Sequence, residues 1–277
     1  MTTAAAPLLL STAASVDLGA ALASLQNDGF ARLGVQVAPE TLTLLRERAD
    51  ALMLARVPNE AFFFQRDSPT GDYEDLTYGR GFEGPSLEYR KVERLELDPL
   101  FAALIASPLH ERVARALTDG PITLYRATLF TKPAGGGSDL PFHQDDGLFW
   151  GIDRAPLVQI WCALDDAPLD GGCLEIVPGT HRDGLARPMG GVVPRNLVEA
   201  SGAEARAVAV PARAGEVVLL HNHVWHRSRR SAIGAVRRAF TACYLEGETR
   251  CVRKRRAPRT FALIFPGGSV DRASGCG

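Results

Sequence analysis

Residues 142–146 have the sequence Phe-His-Gln-Asp-Asp, and this run is the starting point for predicting both the fold and the functional site. Side chains at positions i and i+2 of a β-strand point to the same face. His143 and Asp145 can therefore direct an imidazole and a carboxylate at one point while Gln144 faces away. The run supplies two metal ligands from one strand, and a third ligand must come from another strand.

His226 is the candidate for the third ligand, because it closes a stretch that begins with the strand-like apolar run 217–220. Two histidines and one carboxylate on one side of an ion leave the opposite positions open, as oxygen chemistry at Fe(II) requires. Arg237 follows His226 and would supply the cation that an acidic co-substrate needs. His221 and His223 remain alternatives, since either could ligate the metal or pack on the approach strand.

Short β-rich runs, separated by turns that contain glycine or proline, surround these residues. The runs are 122–132, 157–164, 173–177, 207–210, 216–220 and 237–246. Several short strands after a helical start indicate a β-sandwich or jelly roll decorated by helices, not a parallel βαβ sheet. The fold class predicted is therefore mainly β with helices.

The preceding part of the chain is predicted to be helical. Leu42, Leu45, Ala49 and Leu52 recur at spacings of three and four after Pro39, which suits the first turn of a helix. A short strand before this helix and a further helix after it are expected at 28–37 and at about 99–117. Residues 62–87 lack periodicity, and a loop this long is either a mobile linker or a functional lid.

The expected organisation is one domain over residues 1–277. It comprises a helical part at about 16–120, a jelly-roll core at about 121–246 and a C-terminal extension at 247–277, which is expected to fray from residue 267.

Charge and hydropathy exclude several kinds of partner. The chain has 31 basic and 32 acidic residues and a formal net charge of -1, so no excess of charge favours nucleic acid or an anionic membrane. No Lys or Arg precedes Arg32, so the charged start of a secretory signal is missing, and no stretch reaches the roughly 18 apolar residues of a membrane span. We expect a cytoplasmic protein that acts on a small molecule, of an oligomeric state that the sequence does not specify.

The combined motifs resemble the phytanoyl-CoA dioxygenase family, whose members are Fe(II)- and 2-oxoglutarate-dependent oxygenases on a double-stranded β-helix. The motifs are His143-Gln144-Asp145, Trp-Cys-Ala-Leu-Asp-Asp at 161–166, Gly-Gly-Cys-Leu at 171–174, Pro-Gly-Thr-His at 178–181, Gly-Glu-Val-Val at 215–218, and His226-Arg227-Ser228 before Arg237. A lone His-x-Asp would be weak, but the joint pattern is specific.

The resemblance implies a role for each matching residue. His143, Asp145 and His226 would hold Fe(II), and Arg237 would bind the remote carboxylate of 2-oxoglutarate with Ser228 as a hydroxyl donor. Further matches to positions around the co-substrate are Trp161, Thr128 and Lys91. The expected reaction uses O2, releases succinate and CO2, and hydroxylates an unactivated C–H bond. Halogenation is disfavoured because related halogenases replace the carboxylate at position 145 with a small residue.

Two other classes of function remain open at this point. A cupin-type hydrolase or isomerase could use zinc or another divalent ion at the same three ligands, and a binder without catalytic activity could keep the scaffold. The hydrolase or isomerase would not need Arg237 or Ser228, and the intact triad argues against a binder. Substrate contacts are expected from four aromatic side chains near the ligands and in the long loop, namely Phe149, Trp150, Tyr73 and Tyr78. The basic run 250–259 could meet an anionic substrate or could simply be solvated.

Overall fold

Two antiparallel β-sheets organise the chain in the computed structural model, which describes residues 16–254 and 258–267. The strands are β1 (Phe30–Val35), β2 (Phe63–Arg66), β3 (Tyr89–Glu93), β4 (Ile122–Lys132), β5 (Leu140–Gln144), β6 (Val158–Ala163), β7 (Leu174–Val177), β8 (Gly191–Val192), β9 (Val208–Val210), β10 (Glu216–Leu220), β11 (Trp225–Ser228), β12 (Arg237–Glu246) and β13 (Ala262–Phe265). The helices are α1 (Leu18–Asp28), α2 (Pro39–Met53), α3 (Pro99–Ile105), α4 (Pro108–Arg115), α5 (Arg195–Ala200) and α6 (Ala203–Arg206).

The larger sheet has the strand order β1-β10-β6-β12-β4-β3-β2, and β13 also pairs with β4. The smaller sheet has the order β8-β5-β11-β7-β9. Strands β4 to β7 and β10 to β12 alternate between the two sheets, with β5, β7 and β11 in the smaller sheet and β4, β6, β10 and β12 in the larger one. Strands β8 and β9 follow β7 within the smaller sheet. This is the double-stranded β-helix that was predicted.

The larger sheet is buried on both faces, which explains why its central strands are apolar throughout. One face packs against the helices, as the cluster of Leu45, Phe101, Val113 and Phe240 shows. The other face packs against the smaller sheet through a second cluster, which includes Trp161, Val218, Ala239, Leu174 and Ile176. The candidate site lies on this second, inner side.

Local sequence explains where the main helices begin and end. Pro39 starts α2 at the first helical position, where a missing N–H costs nothing. Asp98 caps α3 by accepting from the backbone N–H groups of Leu100 and Phe101. Ser107 and Pro108 separate α3 from α4, so the single helix predicted at 99–117 is wrong, because proline cannot continue the hydrogen bonding of the preceding turn.

Three features differ from the sequence prediction. β1 is the short strand predicted at 28–37, but β2 and β3 were not predicted; both join the larger sheet, and β2 lies inside the stretch predicted as a loop. The C-terminal part contributes β13, whereas the predicted fraying falls largely on residues 268–277, outside the described residues. His226 does not extend the strand at 216–220, because a turn at 221–224 moves it to β11 of the smaller sheet. Within the described ranges, no helix is long and apolar enough to cross a membrane.

Candidate metal centre

Three potential ligands converge where β5 and β11 lie side by side. His143 and His226 are register partners on these neighbouring antiparallel strands, and Asp145 follows directly after β5. One donor atom from each residue lies within 4.8 Å of the others, and His226 Nε2 is 3.8 Å from Asp145 Oδ2. Among residues 16–254 and 258–267, no other group of three or more His, Cys, Asp or Glu side chains meets this criterion.

Backbone carbonyls orient both imidazoles. Nδ1 of His143 lies 3.0 Å from the carbonyl oxygen of Pro141, and Nδ1 of His226 lies 3.0 Å from that of Val224. A proton on each Nδ1 satisfies these contacts and leaves each Nε2 lone pair for a metal. Burial and the neighbouring His226 lower the pKa of His143 to about 3, so this imidazole is neutral at pH 7, as a ligand must be.

The Asp145 carboxylate is fixed by donors from the larger sheet. Arg126 Nη2 donates to Oδ1 at 3.2 Å, and Gln159 Nε2 donates to Oδ2 at 3.0 Å. Burial alone would raise the pKa of Asp145, but Arg126 and the two histidines hold it well below its usual range. The side chain is therefore an anion oriented towards the imidazoles.

The remaining polar residues of this region make structural contacts. Gln144 faces away from the ligands and donates to the carbonyl oxygens of Gly184 and His223, as its position on the strand predicts. His223 Nε2 lies 2.8 Å from Asp146 Oδ2, and the backbone N–H of His223 donates to His221 Nδ1. Neither His221 nor His223 joins the ligand cluster, so the alternative assignments of the third ligand have no geometric support.

A single cavity, which we call the inner cavity, connects the three ligands with Arg237. Its wall also includes Ser228, Trp161 and Thr241. Arg237 is buried and donates from Nη2 to the carbonyl oxygen of Gly172, while its Nε has no hydrogen-bond partner in the structure. Burial lowers the pKa of Arg237 to about 10, so the guanidinium stays charged at pH 7.

These residues fit the predicted pair of Fe(II) and 2-oxoglutarate. Two neutral imidazoles and one carboxylate form the donor set of a 2-His-1-carboxylate iron site. At the other end of the inner cavity, a buried guanidinium has an unpartnered N–H and, among the described residues, no carboxylate within salt-bridge distance. A dicarboxylic acid that spans the cavity would satisfy both ends.

The two ends of the inner cavity come from different sheets. His143, Asp145 and His226 belong to the smaller sheet or directly follow it, whereas Trp161 and Arg237 belong to β6 and β12 of the larger sheet. The separation between metal ligands and guanidinium is thus set by the packing of one sheet on the other.

Two of the predicted co-substrate residues lie elsewhere. Thr128 is fully buried on β4 and does not line the inner cavity, although Thr241, its register partner, does. Lys91 bonds to Glu93 at 2.7 Å and lines a second cavity beyond the ligands, not the one that contains Arg237. The expectation that these side chains contact the co-substrate thus receives no support from their positions.

The second cavity, which we call the outer pocket, has a volume of about 370 Å³ and opens onto His143 and Asp145. Tyr73, Tyr78 and Phe149 line it, as predicted for substrate contacts. Trp150 does not: it is buried under Arg126 and stacks on Tyr125 with ring centroids 4.1 Å apart. The indole belongs to the core because the chain turns at Gly147 and directs the two successive aromatic side chains to different places.

The basic run 250–259 is partly integrated into the fold. Arg253 donates to the carbonyl oxygens of Phe149 and Trp150, and the Arg259 guanidinium lies over the Tyr125 ring at 4.7 Å. Arg255 and Arg256 lie outside the described residues.

Four functional candidates were missed by sequence reasoning: Arg90, Arg126, Lys132 and Gln159. Strand alternation could have found three of them, because residues an even number of positions apart on a strand point to the same face. Arg126 and Lys132 are so placed relative to Thr128 on β4, and Gln159 relative to Trp161 on β6. Arg90 lines both cavities, but a bulge in the pairing of β2 with β3 breaks the alternation there, so its direction was not predictable.

The fold and the arrangement of donors are those of the Fe(II)- and 2-oxoglutarate-dependent oxygenases. A family model described as "Phytanoyl-CoA dioxygenase (PhyH)" matches residues 25–239, and the chain belongs to this family. The chain is 32% identical over 161 residues to "Phytanoyl-CoA dioxygenase domain-containing protein 1" of Danio rerio, an overlap of 54% of each chain. The match thus spans about half the length of that curated relative.

Solved structures share the fold at lower sequence identity. EctD from S. alaskensis, solved with 2-oxoglutarate and 5-hydroxyectoine, superposes with a TM-score of 0.68 at 18% identity and covers 95% of this chain and 93% of its own. The epimerase SnoN, solved with Fe3+, alpha ketoglutarate and nogalamycin RO, superposes with a TM-score of 0.65 at 18% identity over 92% and 96% of the two chains. The predicted family, fold and cofactor set of Fe(II), 2-oxoglutarate and O2 are confirmed at this level.

Proposed function

We propose that this protein is a non-haem Fe(II)- and 2-oxoglutarate-dependent dioxygenase that hydroxylates an unactivated C–H bond of a small-molecule substrate. The observation that carries the proposal is the inner cavity, which places two imidazoles and a carboxylate at one end and a buried, charged guanidinium at the other. A site that only held a metal for hydrolysis would not need the second end.

Two groups of side chains would have separate roles, one in binding the metal and the other in binding the co-substrate. His143, Asp145 and His226 would hold the ion from one side. When bound, Fe(II) supplies open coordination positions where the 2-oxo acid and O2 meet, with succinate and CO2 as the products of the co-substrate. Arg237 would bind the remote carboxylate through its fork of N–H groups, Ser228 would donate to the same carboxylate, and the Trp161 ring would pack beside it.

The outer pocket is the proposed substrate site, because it reaches His143 and Asp145 but is not lined by Arg237. Its wall mixes apolar groups such as Phe130, Leu140 and Val192 with the hydroxyls of Tyr73 and Tyr78. The cationic side chains of Arg90, Lys91, Arg126 and Arg187 also line it, so the wall suits a small molecule held by both apolar and polar contacts. The carboxylate retained at Asp145 occupies the place that a halide would need, which favours hydroxylation over halogenation.

The test is succinate release by the Fe(II)-loaded protein in the presence of 2-oxoglutarate and a panel of small-molecule candidates. We expect release with at least one candidate, and Asp145→Ala should reduce it to background because the substitution removes the anionic ligand. Asp183→Ala is the matched control, since Asp183 is exposed in a surface turn and lines neither cavity. Failure of 2-oxoglutarate to bind to the metal-loaded protein would overturn the proposal.

Product mass then decides the type of reaction. Hydroxylation adds one oxygen atom to the substrate. A product of unchanged mass would contradict hydroxylation and indicate epimerisation, and one that has lost two hydrogen atoms would indicate desaturation or ring formation.

A further inference from the structure

Lys132 is a buried lysine that none of the roles above uses. It ends β4 directly opposite Arg237 of β12, where the two residues are register partners, and it lines the inner cavity. Its side chain is 5% exposed, and its stem passes Gly172, where a Cβ atom would approach Lys132 Cδ to 2.7 Å. The amine is thus held inside the co-substrate end of the cavity.

The hydrogen bonds of Lys132 leave its charge without a direct counterion. Nζ donates to the carbonyl oxygens of Ser138 at 2.7 Å and Ser228 at 3.2 Å. Among the described residues, no carboxylate lies within salt-bridge distance of Nζ. Carbonyl oxygens accept from a neutral amine as well as from an ammonium group, so these contacts do not require the proton.

Four charged groups face Lys132 from the surrounding elements. Arg237 on β12 and Arg90 on β3 disfavour the ammonium form, whereas Asp67, after β2, and Asp139, in the loop after β4, favour it. Burial and two cations thus oppose two carboxylates, one of which is already engaged, since Asp67 Oδ1 accepts from Ser138. A ligand with two negative charges would reverse this balance.

We propose that Lys132 is a second cation of the co-substrate site and that it takes up one proton when 2-oxoglutarate binds. The proposal rests on the proposed function and deepens it. The proton comes from solvent, and binding changes Lys132 from –NH2 to –NH3+ beside the remote carboxylate, with Arg237 on the other side.

The protonation state of the free protein supports the inference. Burial, with Arg237 as the next contribution, lowers the pKa of Lys132 to about 7, so a large share of the amine is neutral at pH 7.5. An anion beside Nζ raises this pKa, because it favours the charged form. The affinity for 2-oxoglutarate is therefore highest below pH 7, where the amine of the free protein is already protonated. It falls as the pH rises above the pKa of Lys132 in the free protein, and it stops falling above the higher pKa of Lys132 in the complex.

The experiment measures the Kd of 2-oxoglutarate for the metal-loaded protein without O2, between pH 6.5 and 8.5. We expect Kd to rise by about fivefold or more across this range, since each pH unit between the two pKa values changes Kd up to about tenfold. Calorimetry at pH 7.5 in phosphate and in Tris tests the same point on the unmodified protein. The measured heats should differ in the sense of proton uptake.

Variants separate charge from packing. Lys132→Arg keeps a permanent cation and should make Kd independent of pH, and Lys132→Met should remove the pH dependence and raise Kd at pH 6.5. Lys254→Met is the control, because Lys254 is exposed and outside the inner cavity, and it should retain the wild-type profile. The calorimetry keeps the test decisive even if Lys132→Met does not fold.

The outcomes distinguish this inference from the proposed function. If wild-type protein binds 2-oxoglutarate with a Kd independent of pH and with equal heats in both buffers, the role of Lys132 is wrong while the proposed function stands. If 2-oxoglutarate does not bind at any pH, both fail. A pH dependence that persists in Lys132→Met also overturns the inference, because another group must then titrate.

Discussion

Gln159 shows how single side chains control the candidate site. Its amide donates from the larger sheet to Asp145 Oδ2, and its Oε1 is buried without a partner. Arg126 contributes a second donor to the same carboxylate. Orienting contacts of this kind around metal ligands commonly account for about 10- to 100-fold in metal affinity.

We therefore expect Gln159→Leu to weaken metal binding by about 10- to 100-fold, because the carboxylate loses a donor that fixes its direction. Metal Kd is measured by competition with a chelator of known affinity. Gln36→Leu is the matched control, since Gln36 is also buried but its side-chain amide donates to the Leu33 carbonyl and it lines neither cavity. Equal metal affinity in the two variants would show that Gln159 is not a positioning residue.

Alternation along strands accounts for most of what could be predicted at the scale of residues. It places His143 and Asp145 together and turns Gln144 away, and the structure agrees. It could also have indicated that Arg126, Lys132 and Gln159 face inwards, but not which of them lie beside Arg237, because the pairing of β4 with β12 depends on the tertiary fold. Lys132 and Arg237 are far apart in sequence and become partners only through that pairing.

At the scale of elements, the turn after β5 is held by a close backbone approach. Gly190, with φ of +72°, precedes β8, and a Cβ atom on it would lie 1.7 Å from the carbonyl oxygen of Asp146. Only a glycine fits there, because any larger residue must push the chain next to Asp145. The backbone that carries one metal ligand thus depends on a residue in another segment.

Gly190→Ala should therefore lower the free energy of unfolding and weaken metal binding together. The matched control is Gly202→Ala, since Gly202 also has a positive φ, of +62°, but a Cβ atom on it would have no atom within 4 Å beyond its two chain neighbours. The control should lose only the roughly 1–2 kcal/mol of a left-handed alanine and keep its metal affinity. Urea unfolding and metal titration measure both effects, and an equal loss in the two variants would contradict the close-approach argument.

The elements themselves were predictable to different degrees. The strands at 122–132, 216–220 and 237–246 have the predicted bounds, because long apolar runs between turns leave little choice. The sequence did not predict strands β2 and β13. Each is a short segment at the edge of the sheet, and its extended conformation depends on pairing with β3 or β4, which the sequence does not show. Pro108 causes the break between α3 and α4. The sequence prediction joined the two helices because the spacing of apolar residues continues across the break.

For the whole molecule, the metal site joins two neighbouring strands of the smaller sheet. His143 on β5 and His226 on β11 face each other in register, so an ion held by both would stabilise the pairing of these strands. A ligand that binds only the folded state at about 100 times its Kd adds about 2.7 kcal/mol. The smaller sheet, with five short strands, is the part of the fold on which this contribution acts.

Removal of metal by a chelator should accordingly lower Tm by on the order of 5 °C for a chain of this size. Scanning fluorimetry with and without chelator checks the shift. Asp145→Ala should show a much smaller shift, because it retains only two ligands. A wild-type Tm that does not respond to chelator or to added divalent metal would indicate that the three side chains do not hold an ion.

The division of the inner cavity between two sheets has one further consequence. Because the proposed iron ligands lie on or next to one sheet and the guanidinium lies on the other, the spacing between the sheets would limit the length of the 2-oxo diacid that can bind to both. A homologue one methylene shorter would leave one of its carboxylates short of its anchor, and one a methylene longer would have to buckle. Small changes in the apolar side chains between the sheets, such as Ile176 or Val218, would then retune co-substrate choice without touching either anchor.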